Sequence, residues 1–262
     1  MEFLLHIAAG ASVGFAIGLT GVGGGSLMTP LLLVFGYPPP VAIGTDLLYA
    51  AITKAGGALA HHRKGNVDWK IVSILGLGSI PISILLHTLV LNVQFQESAQ
   101  FEELLTFSLG IMLIITSIIL ILRDKMRKGA IEEKPKLFMS VIHRHRTPVT
   151  LLMGLILGFC VTVSSVGAGA FAAAMLLTIY NEIPAVRVIG TDLAHAVPLT
   201  FIAGVGYLFA GYVDLLLLLG LIVGSLPAIH IGTRLSSQVS DRVLVQALTV
   251  ILLILGVYYS FF

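Results

Sequence analysis

Two short patterns carry acids into otherwise apolar sequence: Ile43-Gly44-Thr45-Asp46-Leu47 and Ile189-Gly190-Thr191-Asp192-Leu193. A charge at the bilayer centre costs roughly 2.5–3.5 kcal/mol on insertion scales, so an intramembrane acid reads by default as functional. Asp46 and Asp192 are therefore candidates to bind a coupling proton. Each also follows Gly-Thr near a helix start, where an aspartate serves equally as a cap or a dipole partner. Lys54 stands two turns past Asp46, deep in the same run, where it pairs with a carboxylate or attracts an anion. His195 lies three positions after Asp192, on the same helical face. That spacing suits a proton relay, and it suits a packing histidine as well. With Thr45 and Thr191, these residues form the candidate coupling and gating set.

A second kind of chemistry belongs to the backbone. Thr20-Gly21-Val22-Gly23-Gly24-Gly25-Ser26 and Ser164-Ser165-Val166-Gly167-Ala168-Gly169 interrupt two apolar regions. Glycine weakens a helix interior by about 1 kcal/mol relative to alanine, so both clusters read as unwound joints. At such a joint a new half-helix begins with unpaired N–H groups and the positive end of its dipole. That setting favours an anion. The candidate substrate site comprises the amides of Gly23, Gly24, Gly25, Gly167 and Gly169 with the hydroxyls of Thr20, Ser26, Ser164 and Ser165. Small residues also allow close helix packing, which is the alternative reading.

Other motifs lead nowhere. Gly21-x-Gly23-Gly24-Gly25 lacks the Lys-Ser/Thr of a phosphate-binding loop. No Ser/His/Asp set or HExxH is present, so nothing points to an enzyme, a cofactor or a metal site. Cys160 is the sole cysteine, which excludes an internal disulfide and a cysteine metal cluster. His61-His62 reads as a solvated basic turn beside Arg63 and Lys64, and His87 as structural or interfacial. His143 and His145 belong to a basic cluster suited to anionic lipid.

The elements that must hold these residues follow from composition. Of 262 residues, 57% are hydrophobic and 11% charged, with a mean hydropathy of +1.01. A soluble domain carries about 25% charged residues. A soluble enzyme, a disordered tail and a nucleic-acid-binding module are thereby excluded. A bilayer core about 30 Å thick needs roughly 20 apolar residues per helix. Val41–Ala60, Ile71–Val93, Leu104–Leu122, Ala185–Ala210, Val213–Ile231 and Val243–Phe262 meet or approach this. Phe3–Gly36 and Pro148–Tyr180 are too long for one span and too short for two, and each is broken at its glycine-serine cluster. Met1-Glu2-Phe3 supplies no basic start for a cleavable signal.

The halves repeat. Gly-Thr-Asp recurs at 44–46 and 190–192, Gly-x-Val-Asp at 65–68 and 211–214, and Gly-Ser-x-Pro at 78–81 and 224–227, all at one offset. Val22-Gly23-Gly24-Gly25 and Val166-Gly167-Ala168-Gly169 need only a two-residue gap. Repeats are a building plan of secondary transporters. Eight of the fifteen Lys/Arg fall between Arg123 and Arg146, which makes that linker cytoplasmic by the positive-inside rule. If Pro148–Tyr180 enters and returns as a broken hairpin, Arg187, Arg234 and Arg242 fall on the same face. The expected fold is all-α and polytopic, with two inverted-topology repeats, each a re-entrant hairpin plus three transmembrane helices. Residues 1–122 form the first repeat, 123–147 the basic cytoplasmic linker and 148–262 the second repeat, with both termini external. A single full crossing by Phe3–Thr20 is the competing topology.

With its Gly-Val-Gly-Gly-Gly break, its Pro38-Pro39-Pro40 turn and its duplicated Ile-Gly-Thr-Asp, nearly the whole chain resembles the TauE/SafE family of sulfite exporters and sulfonate permease-like transporters. The resemblance implies transport of a small sulfur-containing or carboxylated anion across the cell membrane, driven by the proton gradient. Its expected partners are the anion, protons and membrane lipid, with a homo-oligomer left open and no nucleic acid. Ser164-Ser165-Val166-Gly167-Ala168-Gly169 departs from the run of glycines at the first break. Two rival readings are a cation or metal carrier using Asp46, Asp192 and His195, and a non-transporting membrane scaffold.

Overall fold

A computed structural model describes residues 2–20, 28–90, 99–129, 145–166, 169–235 and 241–261. Among these residues the chain is helical, with no strand: α1 (Glu2–Thr20), α2 (Met28–Val34), α3 (Pro39–Arg63), α4 (Trp69–Val90), α5 (Ala99–Gly129), α6 (Arg146–Ser164), α7 (Ala170–Ile179), α8 (Ala185–Phe209), α9 (Leu215–Leu235) and α10 (Asp241–Phe261). Segments of α4, α5, α6, α8 and α9 are long and apolar enough to cross a membrane. This is a polytopic helical membrane protein. Helix α3 is not among those five segments, although its 25 residues are ample in length. Asp46, Lys54 and the basic end at His61, His62 and Arg63 lower its hydropathy, and twelve of its residues are buried inside the protein. Helix α5 runs on into the basic linker as far as Gly129.

The repeated motifs are punctuation. Pro38 and its counterpart Pro184 sit in extended conformation immediately before α3 and α8. Proline is preorganised for such helix starts. Gly65 and Gly211 lie at φ +70° and +80°, the left-handed conformation that ends a helix cheaply only with glycine. Asn66 N–H reaches back to the His61 carbonyl and Tyr212 N–H to that of Tyr207. Asp68 then caps α4 by accepting the amides of Lys70 and Ile71. Asp214 does the same for Leu216 and Leu217 at α9.

Packing exchanges partners between the halves. Helix α1 lies along α9, and α4 lies along α6. Gly10 and Gly14 rest on the carbonyls of Leu221 and Ser225, while Gly154 and Gly158 rest on those of Leu75 and Ser79. A Cβ at Gly14 would come within 2.5 Å of the Ser225 oxygen, so only glycine permits this approach. Both pairs run parallel. Helices α3 and α8 instead run antiparallel, with Gly44 beside Tyr207 and Tyr212 and Gly190 beside His61 and Asn66. Equivalent helices α5 and α10 also pair antiparallel, Gly110 meeting Tyr259 and Ser260 while Gly256 meets Ile114. Thr191 Oγ1 accepts the Asp68 amide at 2.9 Å, and Thr45 Oγ1 accepts the Asp214 amide at 3.4 Å. Corresponding motifs of the two halves thus contact each other reciprocally.

Each broken segment returns to its start. Tyr37, after α2, hydrogen-bonds His6 near the beginning of α1 at 2.7 Å. Tyr180, after α7, hydrogen-bonds Thr150 near the beginning of α6 at 2.8 Å. Arg146 and Glu182 form an ion pair at the same end of the second hairpin.

Candidate functional site

Asp46 lies two turns into α3 and is fully buried. Its Oδ2 accepts the Thr29 amide at 3.1 Å, the Thr29 hydroxyl at 2.5 Å and the Ser165 hydroxyl at 3.0 Å. The carboxylate thus sits at the start of α2, where amide hydrogens and the helix dipole favour negative charge. It ties its own hairpin to α3 and ties α3 to the break of the opposite hairpin. Sequence places this aspartate near the start of its own helix; the fold uses it at the start of another. Its Oδ1 has no hydrogen-bond partner among the described residues.

The second hairpin ends α6 at Ser165, which adopts φ +56°. Ser164 turns its hydroxyl to the Cys160 carbonyl at 2.7 Å and accepts the Val166 amide at 3.2 Å. Its hydroxyl therefore serves the backbone turn, and that of Ser165 serves Asp46. Gly169 precedes the first turn of α7 and accepts the Ala173 amide. Thr20 ends α1. Gly23, Gly24, Gly25, Ser26 and Gly167 lie outside the described residues.

Lys54, two turns beyond Asp46, is 5% exposed. It shares α3 with Asp46, and α3 packs against α8, which carries Asp192. Asp192 is also 5% exposed, and its Oδ1 has no hydrogen-bond partner among the described residues. His195, one turn further along α8, bonds Ser79 of α4 through Nε2 at 2.8 Å. Asp46, Lys54, Asp192 and His195 are thus gathered where the halves meet. Thr45 and Thr191 are held away from this group by their bonds to the opposite half's loop.

Three features escaped sequence reasoning. Thr29 offers only a hydroxyl at the start of an apolar run. Ser79 was visible as part of a repeated Gly-Ser-x-Pro, yet its partner on α8 was not. Ser79, Ser83 and His87 recur every four residues, a spacing that puts one polar row on a helix face. Ser83 accepts the Thr162 hydroxyl at 2.8 Å, and His87 meets the Ser83 and Ala203 carbonyls at 2.8 and 2.7 Å. His87 is thus structural, as its position near a span end suggested. His61 packs against Gly190 and His62 lies edge-on to Trp69, so these two histidines form more than a solvated turn. A groove of about 470 Å³ between α4 and α8 is lined by Val72, Gly76, Ile80, Pro81, Pro198 and His195.

Comparison with known proteins agrees with this architecture. The family model described as Sulfite exporter TauE/SafE matches residues 6–259. A probable membrane transporter protein of Bacillus subtilis, YjnA, is 36% identical over 95% of this chain and 96% of its own length. A second from that organism, YdhB, is 27% identical over 90% and 91%. A probable membrane transporter protein of Methanocaldococcus jannaschii is 27% identical over 98% and 96%. No solved structure matches significantly. On the extent of the family match and of these relatives, the chain belongs to the TauE/SafE sulfite exporter family of membrane transporters.

Proposed function

We propose that the protein is a secondary transporter that moves a small anion, such as sulfite or an organosulfonate, across the cytoplasmic membrane, driven by the proton gradient. The observation that carries this reading is the burial of Lys54, Asp46 and Asp192 on α3 and α8, two helices that pack against each other. An intramembrane cation set beside two acids supplies an electrostatic partner for an anion and exchangeable sites for protons. The breaks at 20–26 and 164–169 supply further donors from Thr20, Gly23, Gly24, Gly25, Ser26, Gly167 and Gly169. Antiparallel packing of the equivalent helices α3 and α8 supports an inverted arrangement of repeats 1–122 and 148–262 in the bilayer. In that arrangement the basic segment 123–147 is cytoplasmic, both termini are external, and the halves alternate access to one central site.

The test is anion flux in proteoliposomes with and without an imposed pH gradient. Sulfite, methanesulfonate or a small carboxylate should accumulate when the gradient is present. Absence of flux for all three classes overturns the reading. Metal-inhibited flux of a divalent cation, lost in Asp192→Asn, would assign a cation carrier instead.

A further inference from the structure

We propose that the groove between α4 and α8 binds an anionic phospholipid, with one acyl chain lying along α4 and the headgroup held by basic residues at its mouth. The site is separate from the basic linker and does not depend on what the protein transports.

A glycine makes the groove. Ser73, Gly76, Leu77 and Ile80 recur at helical spacing on one side of α4 and form one wall, and His195 and Pro198 of α8 form the other. The two glycines of α4 differ. A Cβ on Gly78 would meet the Leu151 carbonyl of α6 at 2.5 Å, so packing requires that glycine. A Cβ on Gly76 would meet Ile80 Cδ1 at 3.7 Å, an ordinary contact. Packing therefore gives no reason for Gly76, although glycine weakens a helix interior. What it does is keep the groove open. Leu77 on the rim is 70% exposed, so the groove faces outward among the described residues.

Its dimensions suit one leaflet. The apolar segment of α4 runs from Trp69 to Thr88, which sets the groove against hydrocarbon. From Val72 to Pro81 the helix rises about 14 Å, close to half of a bilayer core about 30 Å thick. Both polar residues of the lining are bonded within the protein, Ser73 to the Trp69 carbonyl and His195 to Ser79. The occupant is therefore hydrocarbon.

The mouth is basic. Trp69, the one tryptophan of the chain, is 52% exposed at the start of the same side of α4. Tryptophan favours the membrane–water interface. His62 stands edge-on to it at 5.3 Å, which brings the basic end of α3 alongside. Arg187, near the start of α8, reaches across to Asp68 at 3.3 Å. Arg63, Lys64, Lys70 and Arg187 are all exposed here. The acid of this turn, Asp68, is committed to Arg187 and to the amides of Lys70 and Ile71. A phospholipid phosphate is the anion that a bilayer delivers at this depth with an acyl chain attached. In the orientation proposed above the mouth lies in the cytoplasmic leaflet, where anionic lipids concentrate.

The second half lacks both features together. The counterpart of Gly76 is Ile222, and the equivalent turn, Tyr207 to Leu216, contains no lysine or arginine. The open groove and the charged mouth thus occur on the same helix and are missing from its counterpart.

The test uses full-length protein in phosphatidylcholine nanodiscs doped with phosphatidylglycerol that carries a photoreactive diazirine on its acyl chain. Irradiation should place adducts on residues 72–81 and 195–198, and photoreactive phosphatidylcholine should give several-fold fewer there. Gly76→Leu fills the groove without meeting backbone, so it should keep a monodisperse size-exclusion peak and lose these adducts. Ile80→Phe closes the same space one turn on and serves if the first variant fails to fold. Lys64→Gln and Lys70→Gln should each lower the preference for the anionic lipid about fivefold, the worth of one basic residue near a charged membrane surface. Adducts spread evenly over the lipid-facing sides of the spans, or equal yields from the two lipids, overturn the site. Disulfide-linked dimers of Ser73→Cys in a Cys160→Ser background would assign the groove to a second copy of the chain and overturn it as well.

Discussion

Ser165 shows how much one position is asked to do. It ends α6 at φ +56°, a conformation costing a non-glycine residue about 1–2 kcal/mol, and its hydroxyl is committed to Asp46. Ser165→Ala keeps the backbone strain and loses the bond, whereas Ser165→Gly loses the bond and removes the strain. Thermal unfolding should therefore rank wild type and Gly close together with Ala below them, the reverse of the order expected inside a helix. Thr29→Val removes one of three donors to Asp46 and leaves the amide bond, for an expected loss of about 1–3 kcal/mol at a buried carboxylate. Gly206 lies under the His87 ring, where an added Cβ would overlap it. Gly206→Ala should cost about 1–3 kcal/mol through overpacking and disturb the His87 bond to the Ala203 carbonyl of α8. By contrast, the half-exposed pair Arg187–Asp68 should contribute no more than about 1 kcal/mol.

At the scale of elements, glycine stripes set which helices touch. Gly14→Leu and Gly158→Leu each push a side chain into the backbone of the partner helix, at Ser225 and Ser79. Both should abolish a monodisperse peak in size-exclusion chromatography, and equivalence of the two effects tests the pseudo-symmetry directly. The helices and their ends were largely legible. Pro38 and Pro184, Gly65 and Gly211, and Asp68 and Asp214 announce starts, stops and caps through local chemistry alone. What could not be read was choice of partner. Nothing near Asp46 in the chain points to Thr29, seventeen residues earlier, or to Ser165, in the other half. Ser164 and Ser165 look interchangeable as sequence, yet one closes a turn and the other reaches across the interface. Helix α3 reads as a span like the others, although burial of its polar residues within the protein relieves it of the apolar composition lipid demands.

For the whole molecule, orientation in the bilayer has a direct readout. Lys70 and Leu216 are exposed counterparts just inside α4 and α9. In a Cys160→Ser background, an impermeant thiol reagent added outside intact cells should label Leu216→Cys and spare Lys70→Cys. Labelling of both from one side would contradict opposed orientation of the halves. Neither half is complete on its own, because α1 and α4 find their long partners, α9 and α6, across the linker. Chains divided within 130–144 should consequently be degraded when expressed singly and recover when expressed together, as judged by immunoblot.

That exchange of partners bears on how the protein is made. Helix α1 leaves the ribosome well before α9 exists, so its glycine stripe must wait in lipid or against an insertase with nothing fitted to it. Assembly can finish only after translation is nearly over, and a mutation in α9 would be noticed by membrane proteases as a defect of α1.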